Sequence, residues 1–120
     1  MKGQLKYRLE ERTARFGEDT LRLCARLPKT ELTTPLIKQV IRSATSVGAN
    51  YMEANGAISK KDFRNKIHIS KKEAQESQHW FRMLSVAAPE YKAELRRLWQ
   101  ESHEFVLIFQ KVTTTMKDLN

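Results

Sequence analysis

The chain has 120 residues, 40% hydrophobic and 30% charged, with four glycines and three prolines, which fits one globular domain over residues 1–120 and excludes a disordered tail. Its 22 Lys and Arg against 14 Asp and Glu leave a formal +8 with neutral His, an excess that suits a polyanionic partner without naming one. No run of about 18 apolar residues is present, so no membrane span is expected, and Met1 to Lys6 lack the apolar stretch of a secretory signal.

Four stretches carry a helical period. In the first, over about residues 5–27, Leu9, Thr13, Phe16, Thr20, Leu23 and Leu27 recur at alternating steps of four and three. Leu27 precedes Pro28 and is pushed out of the helical region, which ends the segment. Cys24 on this helix reads as a small buried hydrophobe. As the sole cysteine it forms no internal disulfide or multi-thiolate metal site, which predicts a reducing, cytoplasmic setting.

The second helix, about 35–54, is expected to open with Thr34 as N-cap and Pro35 at its first position. Ile37, Val40, Ala44, Val47, Tyr51 and Ala54 form its seam, and Ile41, Gly48 and Met52 a second stripe that widens the buried face. The run Ser43 to Ala49 is rich in small residues and lets another helix approach closely. Asn55-Gly56 is expected to stop the helix in the left-handed conformation.

Ser59 then caps a third helix, about 60–87, with Asp62 three positions on as the acidic partner of a capping box. Its seam runs Phe63, Ile67, Ser70, Ala74, Ser77, Phe81 and Leu84, flanked by Ile69, Trp80 and Met83. Pro89 is placed early in the fourth helix, about 90–117. There Tyr91, Leu95, Leu98, Ser102, Phe105, Phe109, Val112 and Met116 form the seam, with Trp99 and Val106 on one flank and Ile108 on the other.

Helices of about 30–40 Å with short connections make an all-α, up-down-up-down four-helix bundle. Steps averaging about 3.5 residues predict a left-handed supercoil. The surplus apolar residues on the second and fourth helices point to self-association, with a wide core as the alternative.

Charge is unevenly spread. The surplus of basic over acidic residues is +3 over residues 1–27, +1 over 28–56, +4 over 57–88 and 0 over 89–120. On the third helix Lys61, Arg64, Lys71 and Lys72 avoid the apolar seam and form one broad basic side; on the first, Arg8, Arg15, Arg22 and Arg26 share a flank. Arg8, Arg15, Arg22, Lys61, Arg64, Lys71 and Lys72 are the candidate phosphate contacts, each of which would steepen the salt dependence of binding. A solvated face that keeps the protein soluble is the plainer alternative.

Signals for other chemistry are thin. Glu76-Ser77-Gln78-His79 is one Glu-x-x-His pair, where a di-iron bundle needs two and a Glu from each remaining helix; no metal ligand or cofactor is assigned. Arg97 and His103, with five residues between them, have a spacing that resembles that of the Arg and His of small all-helical ribonucleases, but Leu98 replaces the polar residue that usually follows the Arg. No Gly-rich phosphate loop or nucleophile elbow is present. No catalytic residue is assigned, and a metal-independent ribonuclease is kept as an alternative.

From Leu27 to Leu84 the chain is similar to a known family. The carrying residues are Leu27 to Leu32, Ile41 to Ala54 (Ile-Arg-Ser-Ala-Thr-Ser-Val-Gly-Ala-Asn-Tyr-Met-Glu-Ala), Ser59 to Phe63, and Lys72 to Ser77. They resemble the bacterial four-helix bundle proteins first noticed as reading frames within intervening sequences of 23S ribosomal RNA genes. Related to these are the accessory variability proteins of diversity-generating retroelements. The resemblance implies a ring-like homopentamer without enzyme activity. In the retroelement branch it also implies a basic surface that engages nucleic acid and a reverse transcriptase. Arg42, Asn50, Glu53, Lys66 and Glu73 are read as polar positions at helix contacts, held by hydrogen bonds and ion pairs. The function expected is that of a non-enzymatic oligomeric adaptor binding RNA or DNA through a basic face, with a purely structural protein–protein module as the alternative.

Overall fold

A computed structural model describes the backbone of residues 2–118 and the side chains of residues 8–116. The helices are α1 (Lys2–Arg26), α2 (Thr33–Asn55), α3 (Lys60–Ala87) and α4 (Lys92–Asp118), with a 3₁₀ turn at Pro89–Tyr91. No strand occurs among the described residues. Short connections make successive helices antiparallel neighbours. α1 packs on α2, α2 on α3, α3 on α4, and α4 returns to α1, while the backbones of the diagonal pairs stay apart and meet only through core side chains. The expected up-down-up-down bundle results, with dimensions of 48 × 21 × 21 Å.

The seams read from spacing form the core. Every residue of the α1 and α2 seams is buried, as are Ile67, Ser70, Ala74, Ser77, Phe81 and Leu84 of α3. Phe16 stands edge-on to Phe81 at 6.1 Å and to Phe105 at 5.3 Å, joining α1, α3 and α4. Fully burying a side chain of this kind stabilises the fold by about 1.5–3 kcal/mol. Cys24 lies in the same core, and burial pushes its thiol up to about 11.

Hydroxyls within the seams are satisfied in two ways. Thr13, Thr20 and Ser102 donate to the carbonyls of Leu9, Phe16 and Leu98 one turn back. Ser70 donates across the bundle to the Val47 carbonyl at 3.1 Å, and the Ser43 and Ser77 hydroxyls lie 2.9 Å apart. Small residues therefore do more than permit close approach, because they link α2 to α3 by hydrogen bonds inside the core. Gly48 serves the α1–α2 crossing: a Cβ there would sit 3.2 Å from the Thr13 hydroxyl oxygen.

Four local expectations are corrected. Thr34 does not cap α2. The Thr30 hydroxyl accepts from the backbone N–H of Leu32 and Thr33, and the Thr33 hydroxyl accepts from the N–H of Thr30. This reciprocal pair is a capping box one turn earlier, so Pro35 falls inside the first turn of the helix. At the other end Gly56 has φ −93°, and no described residue adopts a left-handed φ. The chain leaves α2 by a right-handed turn, with Gly56 and Ala57 N–H groups bonded back to the carbonyls of Met52, Glu53 and Ala54. The second stripe of α2 widens the buried face only in part: Ile41 packs half-buried against the core and Gly48 against Thr13 of α1, while Met52 is exposed. Late in α4, Thr113 is buried where Val112 was expected, because a true helical turn exceeds 3.5 residues and the seam drifts. Ser59 caps α3 as expected, accepting from the Asp62 N–H at 3.0 Å.

Candidate nucleic-acid interface

Ion pairing sorts the charges of the bundle by side. On the α1–α4 side, Arg12 makes two 2.8 Å hydrogen bonds to the Glu101 carboxylate and one of 2.6 Å to Glu104. Its guanidinium lies 5.0 Å from the centroid of the Phe105 ring, and the Glu101 hydrogen bond is the main force raising its pKa above the ordinary arginine value. Arg26 pairs with Glu94 at 2.6 Å, and Arg97 with Asp19 at 3.4 Å. The hydrogen bond from Arg26 holds the Glu94 carboxyl below its ordinary range.

The α2–α3 side is neutralised in the same manner. Arg42 pairs with Glu73 and Glu76, and Lys66 with Glu53 at 2.8 Å. The Trp80 indole N–H also donates to Glu76 at 3.0 Å. That bond, followed by Arg42, holds the Glu76 carboxyl below the usual carboxylate range. These contacts bear out the reading of Arg42, Glu53, Lys66 and Glu73 as structural ion pairs. Asn50 bonds within its own helix, to the Ser46 carbonyl.

The third side, between α3 and α4, is different. Here Lys71 of α3 contacts Gln110 of α4, and Gln78 lies 3.4 Å from the His103 ring. At about 100° per residue, Arg64 and Arg82 share the Lys71 side of α3, while Lys92, Arg96 and Trp99 share the His103 side of α4. Arg82, Ser85, Lys92, Arg96 and Trp99 together line a cleft of about 330 Å³. Among the described residues none of these cations makes an ion pair. Glu73, Glu76, Glu94, Glu101 and Glu104 are engaged on the other sides, so the positive charge of this side is left for solvent or a partner.

The candidate phosphate contacts divide accordingly. Arg64, Lys71, Lys61 and Lys72 lie in one sector of α3 that begins at the α4 side and turns outward. Arg64 is half-buried, and its Nε makes no hydrogen bond with the described residues. On α1, Arg22 is paired with Asp19 at 2.9 Å and lies 3.9 Å from Glu18. Arg8 and Arg15 line a shallow cleft that they share with Glu11, Arg12 and Glu101. Because α1 and α3 stand diagonally and meet only through core side chains, the two ladders form separate faces and do not merge into one. Lys92, Arg96 and Trp99 were not among the expected contacts. Residues 89–120 carry no net charge, and only the angular position of each residue separates the acids from the bases.

The remaining chemical candidates are occupied. Glu76 is held by Arg42 and Trp80, and His79 stands edge-on to Trp80 at 4.8 Å. Arg97 turns to Asp19 of α1 while His103 turns to α3 and stacks on Trp99, so the pair does not converge on one substrate. No helix among the described residues is long and apolar enough to cross a membrane.

The model of the 23S rRNA-intervening sequence protein family matches residues 6–88, which includes α2, α3 and most of α1. The chain belongs to that family. It is also similar to a crystal structure described as a protein of unknown function from the S23 ribosomal protein family of Bacteroides thetaiotaomicron. The two share 28% identity over 88% of this chain and 97% of that one, with a TM-score of 0.79. No curated protein matches the chain significantly. In this 23S rRNA-intervening sequence family member, the matched segment stops at the end of α3. Lys92, Arg96 and Trp99 therefore lie outside it, while Arg64, Lys71 and Arg82 lie within.

Proposed function

We propose that this family member is a non-enzymatic, self-associating helical-bundle adaptor that holds RNA or DNA by its phosphate backbone, along the α3–α4 side. The observation that carries this reading is the sorting of charge. Arg12, Arg26, Arg42, Lys66 and Arg97 are each neutralised by a carboxylate, whereas Arg64, Lys71, Arg82, Lys92 and Arg96 are not. Unpaired cations in a row suit a polyanion, since each phosphate they neutralise releases condensed counterions. No base-reading element accompanies them, so binding follows the backbone with little preference for sequence.

Self-association is supported by a second region. Ala14, Gly17, Leu21, Thr45, Ala49 and Met52 border an apolar groove between α1 and α2, in which Leu21 is 46% and Met52 66% exposed. Large apolar side chains beside small ones suit a helix from a second copy.

The deciding experiment is fluorescence anisotropy with labelled RNA and DNA at several salt concentrations, paired with sedimentation equilibrium. Wild-type protein is expected to bind at low salt and to sediment as a multiple of the protomer mass. The Lys71→Ala, Arg82→Ala, Arg96→Ala triple variant is expected to lose about two units of the log–log salt slope, at about 0.7 per phosphate on a single strand. Absence of binding at low salt would leave the purely structural module as the correct reading.

A further inference from the structure

The cleft at the α3–α4 turn holds an indole among cations, and neither simple role accounts for both. Trp99 lies outside the buried seam of α4, which runs through Leu95, Leu98, Ser102, Phe105 and Phe109. It is half-buried and lines the cleft together with Arg82, Lys92 and Arg96. A site for phosphate alone needs no aromatic ring, and a ring placed only for packing needs no ring of positive charge. The indole is also braced. It stacks on His103 at 5.6 Å with planes 12° apart, and His103 in turn meets the Gln78 amide at 3.4 Å. A ring backed in this way loses little freedom when a second ring is laid against it.

The geometry points to a subsite for one unstacked nucleotide of a single-stranded nucleic acid, its base against Trp99 and its phosphates among Arg82, Lys92 and Arg96. Aromatic side chains beside a cationic track are the means by which proteins hold single strands without reading sequence. In a duplex the bases face one another and are closed to such a ring. The cleft, about 330 Å³, is at the small end of ligand-sized sites, which run from about 300 to 1,000 Å³; one nucleotide fills it. Ser85, whose hydroxyl donates to the Phe81 carbonyl at 2.9 Å, completes the same wall. This inference rests on the nucleic-acid reading above and adds to it a preference for single strands.

The test compares labelled ten-nucleotide single strands, RNA and DNA, with a blunt duplex of the same sequence, using full-length protein. Trp99→Leu keeps an apolar side chain without a stacking surface, and Trp99→Phe keeps a ring. Trp99→Leu is expected to weaken the single strand about tenfold, equivalent to about 1.4 kcal/mol, at an unchanged salt slope. The duplex is expected to be unaffected, and Trp99→Phe to recover much of the loss. The Arg82→Ala, Lys92→Ala, Arg96→Ala variant is expected to flatten the slope instead. If wild-type protein binds but Trp99→Leu changes both forms equally, or neither, the stacking subsite is overturned and backbone binding survives. If wild-type protein binds no strand at low salt, both readings are overturned. Circular dichroism melts of the two Trp99 variants separate lost stacking from lost fold.

Discussion

Along α4, the side facing α1 carries Glu94, Glu101 and Glu104, each joined to an arginine, whereas the side facing α3 carries Lys92, Arg96 and Trp99 and, among the described residues, no acid. The same helix therefore closes the bundle on one side and leaves charge exposed on the other. The two diagonal basic helices differ in the same way. α1 has five arginines among its described side chains, and Arg12, Arg22 and Arg26 are tied up in ion pairs. α3 spends Lys66 on Glu53, and among the described residues none of its other cations makes an ion pair. Net charge per segment is thus a poor guide to what a surface offers. The charge that remains after internal pairing is the better one.

Breaking the strongest of the internal pairs tests this division most severely. Arg12→Ala removes the bidentate bond to Glu101, the bond to Glu104 and the contact with Phe105. It leaves Glu101, with a side chain only 26% exposed, without its cation. The expected cost is about 2 kcal/mol, read by urea denaturation. Nucleic-acid affinity is expected to stay at the wild-type value in the folded variant. An affinity loss comparable to that of the Lys71, Arg82 and Arg96 variant would abolish the distinction between structural and available arginines.

A smaller effect is expected at the α2–α3 seam, which is held from within the core as well as by ions. Ser77→Ala leaves the Ser43 hydroxyl, 2.9 Å away, without its interhelical partner, at a cost of about 1 kcal/mol. The Ser43→Ala, Ser77→Ala double variant is expected to cost less than the sum of the two single changes, because neither hydroxyl is then left waiting for the other. Strict additivity in that cycle would mean that each serine relies on its own helix, through the Glu73 and Val40 carbonyls.

How much of this was legible in the sequence depends on the scale of the pattern. Core seams repeat over whole helices, so Leu9 to Leu27 and Ile37 to Ala54 are readable from spacing alone. Helix ends depend on single hydrogen bonds. Two threonine signals compete at 30–34, and only the mutual bond between Thr30 and Thr33 decides for the earlier one. The α3 half of the unpaired basic side was visible because its acids are few. The α4 half was hidden by balance, although Lys92, Arg96, Trp99 and His103 follow the four-three-four spacing of a single stripe. Sorting charges by angle as well as by segment would have found it. The Trp99–His103 stack and the diagonal separation of α1 from α3 required the packed bundle.

The smallest expected effect sharpens the α2–α3 side through its pH dependence. The Glu76 carboxyl is held below the usual carboxylate range first by the Trp80 indole N–H and then by Arg42. A folded-state pKa lowered relative to the unfolded chain means that the unfolded chain takes up the proton first as pH falls. The contribution of Glu76 is therefore complete above its unfolded pKa, about 4.3, and is lost as pH falls through the lower folded value. Its side chain is more than a third exposed, 37%, so solvent screening keeps that contribution under about 1 kcal/mol. Glu76→Gln retains an oxygen for Trp80 and removes the charge that Arg42 meets. Urea curves at pH 7 are expected to place the variant slightly below wild type, and the gap is expected to close as the pH is taken below the folded pKa. A gap that persists in acid would trace the effect to packing around Trp80. In that case the ion pair with Arg42 contributes orientation to the α2–α3 contact without measurable stability, as exposed pairs commonly do.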